Sequence, residues 1–540
     1  MRKRIFLSAP GLVCCAGQNR DELYESCLTG FQGGMVMREL PGGGKCPTGQ
    51  IRKELPAAAI PELPGPVAFA GGTRIIRIIN AALEQIRPAV EEALSRYGPE
   101  KMGVCFGTCD NGSEGSLLAH RAFLERGVFP QDYQLRFQSA AFPAEFIARK
   151  FGVSGPAYTI ATACASSASA IVRGAELIRA GLCGAVIAGG ADVVSDTVLA
   201  GFHALEAVSS SLCNPFSKNR KGINLGEGAA FFLLDAAEIS AVGLLGAGES
   251  ADGFHMTAPG ADGEGPAKAM KAALLDAGLE PAQIGYVNLH GTGTALNDKA
   301  EALAMRKVFG RPPPSSATKP ITGHTLGAAG ALEAAICWMA LNERRGLPLH
   351  CGDGVFDDEL GFYPEVPSGV GSRESGEFPQ KPGEFPQSPG GFPQSPGGLT
   401  QSPGGLTQSP GGLTQMPGEF SQNLGEHSQN LGEHSQNLGE HSQNPGEHSQ
   451  SPGEHSQSPG EHSQNLGEHS QNLGEHSQSP GEFSQKPEHW CQAHAAARRC
   501  QAPLSLFPLP SSLFPTPLQI CMSNSFAFGG CNVSLILGRR

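Results

Sequence analysis

No stretch of this chain approaches the ~18 consecutive apolar residues of a membrane-spanning helix, and no membrane span is expected. The N-terminus, Met1-Arg-Lys-Arg-Ile-Phe-Leu-Ser, is basic, but its apolar run is too short for the core of a signal peptide and reads as a first β-strand. Cysteine is plentiful, at 15, yet CxxC pairs and regular spacing are missing, so neither a zinc site nor a disulfide framework is indicated. That pattern suits a reducing compartment, and a cytoplasmic location is expected. Apolar residues are scarce for a globular chain, at 39%, while Gly (73) and Pro (42) are abundant.

One segment accounts for most of these anomalies. Aspartate is absent between Val366 and Trp490, where 14 Glu face only Arg373, Lys381 and Lys486. The segment therefore carries about −11 of the chain's net −12, and the remainder is nearly neutral. From Phe378 it repeats every seven residues, as in Phe-Pro-Gln-Lys-Pro-Gly-Glu and later His427-Ser-Gln-Asn-Leu-Gly-Glu. A seven-residue period invites a coiled-coil reading. Each unit, however, carries a Gly, often a Pro, and too few apolar residues for a seam. Such a composition cannot bury enough surface to offset its ordering entropy, so residues 366–515 are expected to form a disordered insertion. Its evenly spaced histidines, His427 to His476, are read as solvated repeats rather than metal ligands.

The rest alternates strand-like and helix-like stretches, which implies crossover connections and a mostly parallel sheet. Arg74 to Leu94 has helical spacing broken by Pro88. The pattern recurs after Gly265, which suggests two similar halves. Residues 1–245 form the first, 246–365 the second, and 516–540 return to complete the second with a last strand.

Three stretches hold candidate chemistry. Thr162-Ala163-Cys164-Ala165-Ser166-Ser167 joins the β-prone run 157–161 to a small-residue helix. A cysteine at a helix N-terminus faces unpaired N–H groups and the positive end of the macrodipole, which favour a thiolate. A free thiol of pKa ~8.5 is only ~3% ionised at pH 7, so such a shift matters. A buried structural cysteine fits the same hexapeptide. His290-Gly-Thr-Gly-Thr294 follows a strand, and Lys319-Pro-Ile-Thr-Gly-His324 precedes another small-residue helix. One Cys and two His, each at the mouth of a tight turn, form a much more specific set than any alone.

With Asn524-Ser-Phe-Ala-Phe-Gly-Gly530, these motifs resemble the β-ketoacyl-acyl-carrier-protein synthases of the elongating Cys-His-His type, in the thiolase superfamily. The resemblance covers Arg4 to about His350 and resumes near Ile520. It implies an α/β thiolase-like fold of two βαβ-rich halves in five layers. It also implies decarboxylative Claisen condensation, an acyltransferase chemistry needing no cofactor and no metal. Cys164 would hold the acyl group, and His290 and His324 would stabilise the enolate. The backbone N–H groups of Cys164 and Phe528 would hold the oxyanion. Lys319 would sit in the pocket, with Glu301 ordering it. Thr292 and Thr294 would bind the pantetheine arm, and Phe526 would line the substrate site. Arg74 and Arg77 match the carrier-docking region. The implied partners are acyl carrier protein, acyl and malonyl thioesters, and a second copy in a homodimer, with no nucleic acid. The family usually has Gly where Ala527 stands. A left-handed φ there would strain Ala by roughly 1 kcal/mol, so acyl length is not inferred. His324 argues against the initiating Cys-His-Asn type, and Cys164 against chain-length partner subunits, which lack the Cys. A degradative thiolase would need a second catalytic Cys late in the chain, with Cys521 and Cys531 as candidates, but the His290-Gly-Thr-Gly-Thr294 motif disfavours it. The competing class is a non-catalytic ketosynthase-like scaffold whose repeat serves as a tether.

Overall fold

Two sets of strands with one and the same pairing plan carry the site. The computed structural model describes residues 3–40, 43–55, 73–110, 112–131, 133–343, 345–364 and 518–539. Its strands are β1 (Ile5–Leu7), β2 (Gly11–Cys14), β3 (Met35–Glu39), β4 (Lys45–Gly49), β5 (Met102–Gly107), β6 (Ala157–Ile160) and β7 (Ala185–Asp192). They continue as β8 (Gly228–Asp235), β9 (Val242–Ala251), β10 (Tyr286–Leu289), β11 (Ser315–Ala317), β12 (Ile520–Phe526) and β13 (Cys531–Arg539).

In the first half the order across the sheet is β6-β5-β7-β8-β1, and in the second it is β11-β10-β12-β13-β9. Numbered along the chain within each half, both read 3-2-4-5-1. In each, the first two pairings are parallel and the last two antiparallel. The halves meet where β1 pairs with β9 through Ile5 and Phe6. The mostly parallel sheet expected from the alternation is thus corrected to a mixed one. β8 and β13 are reached by connections that reverse direction, which strand–helix alternation does not encode.

Two helices lie between the halves. Ser166–Arg179 packs on β5 and β7, and Ala329–Glu343 packs on β8, β12 and β13 and on the first helix. The second has residues 331, 332, 334–337, 339 and 341 at 1% exposure or less, so no face meets water. Gly330 lets the two N-termini touch, because a Cβ there would lie 2.7 Å from Ala168 Cβ. The Ala331 N–H donates to Ser167 Oγ at 2.8 Å across the same seam. Both chemistry-bearing helix starts are therefore pinned together at the centre.

Outer helices close the layers. Arg74–Tyr97 packs on β2, β7 and β8, and Glu264–Ala277 on β9 and β13. The first buries Ile75, Ile78, Ile79, Leu83, Ile86 and Val90 at helical spacing, each contributing about 1.5–3 kcal/mol by burial. It runs through Pro88, where a break was expected. Pro88 lies on the exposed face, where water can serve the carbonyl that loses its amide partner.

β9 crosses the boundary expected after residue 245, so the first half ends before Val242. The chain returns as two strands, β12 and β13, paired over Ile520–Phe526 and Asn532–Gly538. Both flanks of the intervening segment lie at one end of β10. Gly285 donates its N–H to Ile520 O, beside Leu518, and Pro364 lines a cleft shared with Ile284. The heptapeptide repeat lies outside the described residues. No helix among the described residues is long and apolar enough to cross a membrane.

Candidate active site

β6 ends at Ile160 and the helix Ser166–Arg179 begins six residues on. Between them Ala163 takes φ 47°, a left-handed conformation that costs a residue with a Cβ about 1–2 kcal/mol. Ser166 secures it by accepting from the Thr162 N–H at 2.9 Å and donating to Ala163 O at 2.6 Å. The reward is the placement of Cys164, 4% exposed, with the N–H groups of Phe528 and of Cys164 itself directed at its sulfur. Burial pushes this thiol up to about 11, against the Lys319 ammonium and the Phe528 N–H, which pull it down. The depression expected from the helix start is not found: desolvation by burial outweighs the stabilising groups.

His290 follows β10. Two acids one turn apart on the helix Ala295–Phe309 hold its turn by the backbone. Glu301 accepts from the N–H of His290 and of Gly291, both at 2.8 Å. Asp298 Oδ1 accepts from Thr292 and Gly293, both at 3.1 Å. Glu301 is therefore not the residue that orders Lys319, nor does it face substrate, since both oxygens serve backbone amides at 2% exposure. That expectation is corrected to Glu333. Lys319, 1% exposed, donates to Glu333 Oε1, to His290 O, and to His290 Nδ1 at 3.2 Å. Sequence reasoning missed Glu333, although it is the only acid between Lys319 and Asn342 and sits in an otherwise apolar helix. A charge in such a run must have a partner.

His324 is fixed by neighbours on both sides. Its N–H donates to Asn224 O at 2.7 Å and its carbonyl accepts from Gly226 at 2.9 Å. Its Nδ1 accepts from the Leu326 N–H at 3.1 Å. Since Nδ1 of each imidazole receives a donor, each carries its proton on Nε2. Burial holds both rings well below the usual histidine range, with the Lys319 charge adding to it, so both are neutral. Their planes are perpendicular, with centroids 5.5 Å apart.

The last turn completes the site. Phe526 packs edge-on to His290 at 6.2 Å, and Phe528 stacks on Phe202 at 5.6 Å. Ala527 is not among the described residues with left-handed φ; Gly529 (83°) and Gly530 (72°) take that role. The conditional strain at Ala527 does not arise. Thr292 Oγ1 is 2.9 Å from Thr294 Oγ1 and 3.4 Å from Asp298, and only Thr294 is part-exposed. Cys521 is buried in β12 beside Cys337.

Arg74 is turned inward. It donates to buried Glu227 through two nitrogens and to Ile51 O at 2.8 Å, while Arg77 reaches Leu55 O at 3.4 Å. The Arg74 guanidinium thus ties Glu227 and Ile51 to this helix. A cleft of about 1250 Å³ lies elsewhere: its lining includes Arg306, His350 and Phe362 and none of the Cys-His-His-Lys set.

Residues 73–239 match the model of the β-ketoacyl synthase N-terminal domain, and residues 241–350 that of the C-terminal domain. The chain is 32% identical over 364 residues to nodulation protein E of Rhizobium sp. (strain N33), covering 64% of this chain and 87% of that protein. It is 30% identical over 297 residues to 3-oxoacyl-[acyl-carrier-protein] synthase 2 of Staphylococcus aureus (strain COL), covering 51% of this chain and 71% of that one. Among solved structures it is similar to a chain of the complex of the ketosynthase ApeO with its chain length factor ApeC from Xenorhabdus doucetiae. The TM-score is 0.66 at 31% identity, covering 100% of this chain and 98% of that chain.

Proposed function

The chain belongs to the β-ketoacyl synthase family, and we propose that it is a condensing enzyme that elongates an acyl chain with malonyl-acyl carrier protein in the cytoplasm. The single observation that carries this reading is the pair of neutral imidazoles whose Nδ1 atoms are both taken, leaving two Nε2–H donors in a cluster whose Lys319 also acts on the buried Cys164 thiol.

The acyl group arrives as a carrier thioester. Cys164 sulfur attacks its carbonyl carbon, the oxyanion is held by the Cys164 and Phe528 N–H groups, and the carrier thiol leaves with the proton Cys164 gave up. Malonyl thioester then binds with its thioester oxygen on the two Nε2–H groups. Carbon dioxide leaves, and the electron pair of the broken C–C bond becomes an enolate on that oxygen. The enolate carbon attacks the Cys164 thioester. The tetrahedral oxyanion collapses, Cys164 leaves as thiolate and takes a proton from solvent, and a β-ketoacyl carrier thioester remains. Lys319 serves by holding His290 in its donating tautomer, and Thr294 by hydrogen-bonding the pantetheine arm.

A homodimer is part of this reading. β6 is the outermost strand of its half, with Tyr158 36% exposed. Phe123, Phe129 and Leu124 add exposed apolar surface in the same half. A second reading, a partner subunit without turnover, takes its support from the ketosynthase–chain length factor complex among the similar structures. The retained Cys164, Lys319 and both histidines favour the enzyme. Incubation with a radiolabelled acyl-carrier thioester and then malonyl carrier separates the two. The enzyme acquires label on Cys164 and releases labelled β-keto product; a chain that takes no label is the scaffold.

A further inference from the structure

Asp192 ends β7 and is fully buried. Its carboxylate receives donors from two separate segments. From the loop after β5 come the Thr108 hydroxyl, the Cys109 N–H at 3.0 Å, the Cys109 thiol at 3.4 Å and the Asp110 N–H at 3.1 Å. From the turn beyond His324 comes the Gly327 N–H at 2.6 Å. The approach depends on glycine, because a Cβ at residue 327 would lie 2.5 Å from Asp192 Oδ2 and 2.8 Å from Cys109 N.

Between His324 and Gly327 stands Leu326, a non-glycine residue held at φ 55° and fully buried. That conformation aims two successive N–H groups at two different acceptors: Leu326 at His324 Nδ1, 3.1 Å away, and Gly327 at Asp192. Neither hydrogen bond survives a rotation of this turn without the other moving. A left-handed leucine persists only where its surroundings over-determine it, and the carboxylate is the polar anchor next to it. We infer that Asp192 is a positioning residue for His324: by holding the Gly327 N–H it sets the turn whose Leu326 N–H keeps the His324 proton on Nε2.

The inference rests on the condensing reading, and it separates the two half-reactions. Acylation of Cys164 uses the backbone donors of Cys164 and Phe528 and does not need the His324 proton. Decarboxylation needs it. Asp192→Asn removes the charge and one acceptor, and Gly327→Ala leaves the carboxylate but pushes the turn off it. Both variants should lower kcat for carbon dioxide release from malonyl carrier at least tenfold. KM for malonyl carrier should stay within twofold in both; in Gly327→Ala, which keeps the Asp192 charge that acts on the Cys164 thiol, the rate at which Cys164 takes label from an acyl-carrier thioester should also stay within twofold. With selectively ¹⁵N-histidine-labelled protein, the His324 ring nitrogens should lose the Nε2–H pattern in both variants.

A merely structural role predicts otherwise, and loss of both half-reactions in proportion, or an unchanged decarboxylation rate, overturns the inference. If the native protein releases no carbon dioxide, the condensing reading fails by itself. The His324 nitrogen pattern then decides: a change in Asp192→Asn upholds the positioning role, and an unchanged pattern overturns it.

Discussion

His290 and His324 stand with their rings perpendicular and 5.5 Å apart, and each receives a hydrogen bond on Nδ1, from Lys319 and from the Leu326 N–H. The two rings therefore present the same tautomer by different means, one through a side chain and one through the backbone. Replacing either with Ala removes one of two donors to the enolate oxygen. The expected loss in carbon dioxide release from malonyl carrier is ~10² or more, with Cys164 acylation retained. A His290→Ala protein that decarboxylates near the native rate would show that the enolate is held elsewhere.

Lys319 and Glu333 form a buried pair, at 2% and 3% side-chain exposure. Burial pushes Glu333 up to about 7, while Lys319 pulls it back. Lys319→Met should leave Glu333 without its cation and His290 Nδ1 without its donor. Breaking a buried pair from one side costs about 3–5 kcal/mol, read as a lowered denaturation midpoint. Decarboxylation should fall further than stability alone explains. Lys319→Met with Glu333→Gln should recover much of the stability and none of the activity. Recovery of both would make Lys319 a purely structural residue.

Glu301 accepts one N–H on each oxygen. Glutamine offers a single acceptor oxygen, so Glu301→Gln leaves a buried amide without a partner, a loss of about 1–3 kcal/mol. Because the carboxylate touches backbone rather than substrate, kcat should drop while KM for malonyl carrier stays within twofold. A raised KM with kcat unchanged would return Glu301 to the substrate-binding role first expected for it.

Much of this site was legible in the sequence, and for a physical reason. Cys164, His290 and His324 each sit at a strand or helix end marked by small residues, and tight turns leave few alternatives to Gly, Ala, Ser and Thr. Glu333 was hidden because its partner, Lys319, is 14 residues away and no periodicity links them. Arg74 looked like surface because Glu227, 153 residues on, reaches it only through the fold. The doubled 3-2-4-5-1 order likewise depends on pairings between distant strands. The recurrence of strand and helix showed two halves but gave no direction to β8 or β13.

The thiol of Cys164, pushed up to about 11 by burial, gives a pH prediction with a definite sign. A raised pKa means the thiol form persists, so the thiolate fraction keeps growing past the ~8.5 of a free thiol. Alkylation of Cys164 by iodoacetamide, followed on its own peptide, should rise about tenfold per pH unit from 7 through 9 without a plateau. A plateau near pH 7 would mean that the helix start and Lys319 outweigh desolvation after all.

The long insertion can be tested by removing it. All the residues argued to act lie in 164–333 and 524–530, and the flanks at Pro364 and Leu518 lie at the same end of β10. A chain that leaves and returns at one place can be shortened without stretching the body. Cutting a loop about fivefold changes its closure entropy by only about 1.4 kcal/mol, in favour of folding. Deleting Val366 to Trp490 should thus leave a soluble dimer with native condensation activity, at a net charge near −1 instead of −12. The final hairpin must stay, because β12 and β13 bridge β10 to β9 and the turn between them carries Phe528. A deletion variant that melts like the native protein but no longer accepts acyl groups from carrier would assign the repeat a part in carrier binding. One that loses the hairpin's protection from hydrogen exchange would show that the repeat guides β12 to its place.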